Sequence, residues 1–140
     1  MPVGTKNSAI PGCGAHHISI QTRDWEASLH LYREVLGMEV VAEFGSPERP
    51  ILLLDMGDGS HIELLAPPTD LPPAGDPASN GPIVHFALAT TATRAALERV
   101  RQASLEITME PKDIDLGSMQ VTIAFFKGPN GEEIEFFQTN

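Results

Sequence analysis

Two stretches of this chain repeat one pattern, and that repetition narrows the possible folds more than any other feature. In the first, an alternating run HHISIQT (16–22) precedes a helical pattern from Trp25 to Leu36. Three strand-like runs follow, MEVVAEF (38–44), ILLLDM (51–56) and HIELLA (61–66). In the second, PIVHFALA (82–89) precedes a helical pattern over 91–102, then LEITME (105–110), MQVTIAFF (119–126) and EEIEFF (132–137). Laid over one another, HISIQT falls on HFALAT, and GDGSHIELL falls on GPNGEEIEFF with one extra residue in the turn. The first helical pattern places Trp25, Leu29, Tyr32 and Leu36 on one stripe. Asp24 stands ahead of it as an N-cap candidate and Gly37 behind it as a C′ residue. In the second helix, Ala96, Leu97 and Val100 form the apolar side. Each half thus predicts strand, helix, strand, strand, strand. A four-stranded sheet backed by one helix buries only one face. The expected class is therefore α+β, with two tandem βαβββ modules forming a concave cup of roughly eight strands and helices on the outer face.

A proline-rich stretch divides the repeats. Six of the twelve prolines lie in residues 67–82, where missing backbone donors and fixed φ angles stop a sheet or helix from continuing. The expected organisation is a flexible N-terminal segment (1–14), a first module (15–66), a linker (67–82) and a second module (83–140). Nine Lys and Arg against nineteen Asp and Glu give a net charge of −10. That balance repels phosphate backbones and anionic lipid, which argues against nucleic-acid and membrane partners. No apolar run reaches the roughly 18 residues of a membrane span, and residues 1–15 lack the apolar core of a secretory signal. The single cysteine, Cys13, can form no internal disulfide and reads as a bystander. A soluble, cytoplasmic, acidic protein is expected.

Period-two alternation assigns faces. Ile18 and Ile20 point toward the helix, so His17, Ser19 and Gln21 point away from it. Val84, Phe86 and Leu88 do the same in the matching strand, leaving His85, Ala87 and Ala89 on the other face. Ile62 and Leu64 put Glu63 forward, and Ile134 and Phe136 put Glu135 forward. Each module thus offers one His and one Glu at equivalent positions on its polar face. Two imidazoles and two carboxylates make a borderline N/O ligand set suited to one divalent ion: Ni, Co, Zn, Mn or Fe.

The stretches HHISIQTRDWEASLHLYREVLGMEVV, HIELLAP, IVHFAL and GPNGEEIEFFQ make residues 15–139 resemble the vicinal oxygen chelate superfamily. That superfamily includes glyoxalase I, methylmalonyl-CoA epimerase, extradiol dioxygenases and the bleomycin- and fosfomycin-resistance proteins. In this resemblance His17, Glu63, His85 and Glu135 match the metal-ligand positions of glyoxalase-I-like members. It implies a metal-dependent lyase or isomerase acting on a small molecule with adjacent oxygens, and a homodimer. It also implies Glu135 as the catalytic base and Glu63 as the acid/base on the opposite side. Two departures point away from glutathione. Gln21 stands where bacterial glyoxalase I has a glutathione-binding arginine, and Pro67 replaces an asparagine. The HIELLAP segment is closer to the epimerases.

Three other readings are open: an epimerase, an iron-dependent dioxygenase using only His17, His85 and Glu135, and a metal-free drug-binding module. A fourth ligand, Glu63, closes a position that oxygen would need, and metal-free binders need no His/Glu quartet. Remaining polar residues take plainer roles. His16 reads as a strand-start residue, His30 as solvated, His61 as a rim hydrogen-bonding group, and Glu43 and Glu48 as solvated loop charges. Arg49 and Lys127 are the cations to watch for an anionic substrate. Phe125, Phe126, Phe136 and Phe137 supply apolar wall.

Overall fold

Asp24 starts the first helix by the mechanism its position suggests. Its carboxylate accepts the Ala27 N–H at 3.0 Å, satisfying one of the donors that every helix start leaves open. The computed structural model describes residues 6, 8–9, 15, 17–69, 85–116 and 120–140. Expectations for Cys13, His16, Val84 and most of the N-terminal and proline-rich segments lie outside the described residues. The chain divides into two compact units, Met1–Leu71 and Pro72–Asn140.

In the first unit, β1 (His17–Gln21) leads to α1 (Trp25–Leu29), which widens into a π-helical stretch, His30–Val35. Strands β2 (Glu39–Gly45), β3 (Pro50–Asp55) and β4 (His61–Leu65) follow. The sheet order is β1-β4-β3-β2, with β1 parallel to β4 and the other pairs antiparallel. In the second unit, β5 (Phe86–Ala89) and α2 (Thr93–Gln102) precede β6 (Glu106–Asp115), β7 (Gln120–Lys127) and β8 (Glu133–Thr139). Its order, β5-β8-β7-β6, and its pairing directions repeat those of the first. Both halves are therefore βαβββ modules. The repetition extends to a defect: pairing slips after the second residue of β2, at Val41, and after the second residue of β6, at Thr108. An extra residue of this kind is a β-bulge.

The π-helical stretch alters the first helix's buried face. The Leu36 N–H reaches the Leu31 carbonyl at 2.8 Å, one residue farther back than an α-helix allows. Leu31, Tyr32 and Val35 are the buried residues there, so the stripe expected from Trp25, Leu29, Tyr32 and Leu36 is shared with two others. With Leu54, Ile62 and Leu64 they make the core of the first unit. Full burial of each such side chain stabilises by about 1.5–3 kcal/mol. In the second unit Leu97 and Val100 of α2 are buried, as are Ala124, Phe126, Ile134 and Phe136 of β7 and β8. The Phe126 and Phe136 rings lie 5.3 Å apart, centroid to centroid.

The two helices end by the same device with different residues. Gly37 follows the first at φ +70°, and Ser104 follows the second at φ +63°. After α2 the Ser104 N–H bonds to the Arg101 carbonyl at 2.9 Å, and that of Leu105 to Val100 at 3.5 Å. This is the Schellman pattern, in which glycine is the usual occupant of the left-handed position.

Candidate functional site

Strand register brings the candidate ligands together two by two. In the first unit Ser19 stands beside Glu63 across the parallel β1–β4 pair. His17, two residues earlier, shares their face, and its Nε2 lies 3.9 Å from Glu63 Oε1. The Ser19 hydroxyl donates to that same oxygen at 2.9 Å. In the second unit Ala87 stands beside Glu135 in the equivalent register. His85 Nε2 is 3.1 Å from Glu135 Oε2, within hydrogen-bond reach. Phe125, opposite Glu135 on β7, packs against the His85 ring in a T-shape with centroids 5.2 Å apart.

The two pairs differ in environment. The Glu135 side chain is 9% exposed, whereas that of Glu63 is 19% exposed, and both imidazoles are exposed. One carboxylate is enclosed, opposite Phe125 on the neighbouring strand and within 3.1 Å of an imidazole nitrogen. The other is more open and bonded to a hydroxyl. Imidazole and carboxylate are both suitable donors for a borderline divalent ion. Among the described residues no group of three or more His, Cys, Asp and Glu side chains is placed to hold a metal. The candidate ligands stand as a His–Glu pair in each unit.

Other candidates fall in plainer places. His30, Glu43, Glu48, Arg49 and Lys127 are exposed. Phe126 and Phe136 belong to the core, while Phe125 and Phe137 are half-buried. His61, expected at the rim, is instead buried at 6% exposure, opposite Asp55 in the β3–β4 register. The turn before it is held by two carboxylates. Asp55 accepts the Gly57 N–H at 2.6 Å and the Gly59 N–H at 3.2 Å, and those bonds hold its carboxyl below the ordinary value of 3.8. Asp58 is likewise lowered, first by the Ser60 hydroxyl and then by the Ser60 N–H.

Gln21 is occupied as well. Its amide nitrogen lies 3.2 Å from each of three backbone carbonyls, those of Thr22, Leu65 and Ala66. Periodicity gave no sign of one further feature, a hollow of about 530 Å³ in the second unit. Arg94, Asp113, Thr122, Gln138 and Asn140 line it, without His85 or Glu135. These polar groups bond one another: Arg94 to Asp113, Thr122 to Asp113, Asn140 to Thr122, and Gln138 to Asn140.

Comparison with known proteins places this geometry in context. The family model described as Glyoxalase/Bleomycin resistance protein/Dioxygenase superfamily matches residues 14–136. The chain is 30% identical over 126 residues to the uncharacterized protein YwbC of Bacillus subtilis (strain 168), covering 87% of this chain and 94% of that one. A glyoxalase family protein from Enterococcus faecalis has a similar fold, with a TM-score of 0.72 at 21% identity, covering 89% of this chain and 96% of the other. The trypanothione-dependent glyoxalase I of Leishmania major gives 0.68 at 23% identity, over 90% and 86% of the two chains. Among the described residues no helix is long and apolar enough to cross a membrane.

Proposed function

Since the chain belongs to the Glyoxalase/Bleomycin resistance protein/Dioxygenase superfamily, we propose that it is a metal-dependent lyase or isomerase that moves a proton next to a carbonyl. His17, Glu63, His85 and Glu135 would hold one divalent ion, Ni, Co, Zn, Mn or Fe, with both pairs drawn from one chain or from two chains of a homodimer. The observation that carries this reading is the repetition of the pair. Each module sets one Glu at the matching register of its parallel strand pair, where a slip of one residue would turn it to the opposite face, and brings one His within 4 Å of it. When bound, the ion supplies Lewis-acid polarisation of the carbonyl, which acidifies the adjoining C–H.

Glu135 takes that proton. Its enclosed carboxylate is shielded from water and lies beside the Phe125 ring, which gives an apolar substrate surface a wall. Glu63 completes the donor set and, in an epimerase, returns a proton to the opposite side of the carbon. Gln21, whose amide already serves three carbonyls, is not a carboxylate clamp, which favours a substrate other than a glutathione adduct.

Metal content decides the central point. Untagged protein purified without chelator should carry about one equivalent of such an ion by mass spectrometry, and His17→Ala should lose it. Protein that holds none and takes up none on titration refutes the proposal and leaves a ligand-binding module. Glu135 is then tested by deuterium incorporation next to the carbonyl in a panel of hydroxy- and keto-compounds. Glu135→Gln should slow exchange by about 10²-fold or more. Oxygen consumption with the iron-loaded protein would instead favour the dioxygenase reading.

A further inference from the structure

The two modules match in register, and one substitution within the match breaks their equivalence. The residue beside the carboxylate is Ser19 in the first module and Ala87 in the second. A hydroxyl there can donate to the carboxylate, and it does so at 2.9 Å, whereas a methyl cannot. Glu63 is otherwise the looser of the two glutamates. Its histidine is 3.9 Å away, beyond hydrogen-bond length, and its side chain is the more exposed. An exposed carboxylate with no fixed partner samples several rotamers, and coordination would then have to order it at an entropic cost.

From this placement we infer that Ser19 is a positioning residue, whose hydroxyl orders Glu63 as a metal ligand. The inference rests on the metal-site reading above. The donated hydrogen bond fixes Oε1, the carboxylate oxygen nearer His17, and would so hold Glu63 in place to serve as a ligand beside that imidazole. Such outer partners commonly contribute 10- to 100-fold to metal affinity. The second module has no use for the hydroxyl, because burial and the close His85 contact already hold Glu135. The same asymmetry separates the roles of the carboxylates. Glu63 is tethered by a hydroxyl, and Glu135, with Ala87 beside it, has no such donor and is the one that takes the first proton.

Titration of the metal-free, full-length protein with Co²⁺, followed by its visible absorption, tests the assignment without any substrate. Ser19→Ala should weaken Co²⁺ binding by about 10- to 100-fold. Ser19→Thr, which restores the hydroxyl, should recover most of the affinity. Ser19 is exposed, so an unchanged thermal midpoint of the metal-free variants will show that the fold is intact. Equal affinity in Ser19→Ala and the parent protein overturns the inference while leaving the metal site standing. Loss in Ser19→Thr as large as in Ser19→Ala also overturns it, since the hydroxyl would then be irrelevant. A parent protein that takes up no Co²⁺ overturns the metal-site reading itself.

Discussion

In metal-free protein, His85→Ala will destabilise the fold by about 2 kcal/mol, whereas the His17–Glu63 contact contributes about 0.5 kcal/mol or less. The difference follows from what each imidazole leaves behind. Glu135 is 9% exposed and sits 3.1 Å from His85 Nε2. Deleting the ring strands a buried acceptor, a loss of about 1–3 kcal/mol. It also removes the T-shaped contact with Phe125, worth roughly 0.5–1 kcal/mol. The His85 side chain is itself 37% exposed, so water entering its place returns part of that sum. Glu63, by contrast, keeps its Ser19 bond when His17 is removed, and the 3.9 Å separation gives little to lose. Urea unfolding in the presence of chelator, followed by far-ultraviolet circular dichroism, measures both variants. On heating, 2 kcal/mol corresponds to a drop of roughly 4–8 °C for a cooperative unit near this size. Combining His85→Ala with Glu135→Gln should recover part of the loss, because a neutral amide is cheaper to bury than an unpaired carboxylate. Double-mutant cycles with Glu63→Gln and Glu135→Gln isolate the two contacts, and a His17–Glu63 coupling as large as the His85–Glu135 coupling would refute the reasoning.

Two further outcomes are expected. Ser104→Gly should stabilise the protein by about 0.5–1 kcal/mol, because it relieves a left-handed residue at the end of α2 while giving back some unfolded-state entropy. Chemical denaturation checks it, and Ser104→Ala, which keeps the Cβ, should gain nothing. Acid will destabilise the fold through Asp55, Asp58 and Asp113, whose carboxyls are all held below the ordinary 3.8 by hydrogen bonds. A depressed folded value means that the contribution is present above about 3.8 and is lost as the pH falls through the lowered values. Asp58→Asn should flatten that part of a stability-against-pH curve, and an unchanged slope would count against the turn's role.

Much of the site was legible because strand faces follow from alternation alone. Ile18, Ile20, Ile62, Leu64, Ile134 and Phe136 identify the helix side, and His17, Glu63 and Glu135 fall opposite by parity. What local pattern could not show was pairing between distant strands. That Ser19 adjoins Glu63, and Ala87 adjoins Glu135, emerges only from the parallel register of β1 with β4 and β5 with β8. Leu31 and Val35 were missed because a π-helical stretch changes the period on which the stripe was drawn. Strand β6 runs on to Asp115, past the expected end at residue 110, through PKDID, a proline-containing polar stretch. An outer strand tolerates such a proline, since one side of it needs no backbone partner. His61 lies buried opposite Asp55 on β3, a cross-strand placement that alternation along β4 alone does not encode.

The duplicated bulge bears on how the protein behaves in a crowded solution. Strands β2 and β6 are the last in their sheets and expose Val40, Val41, Phe44 and Met109, the mixture of open backbone and oily side chains from which fibrils recruit new strands. An incoming strand needs a regular ladder to copy, and at Val41 and Thr108 the ladder is broken. An irregularity shared by both outer strands, with a second in β6, keeps either margin from serving as a ready template.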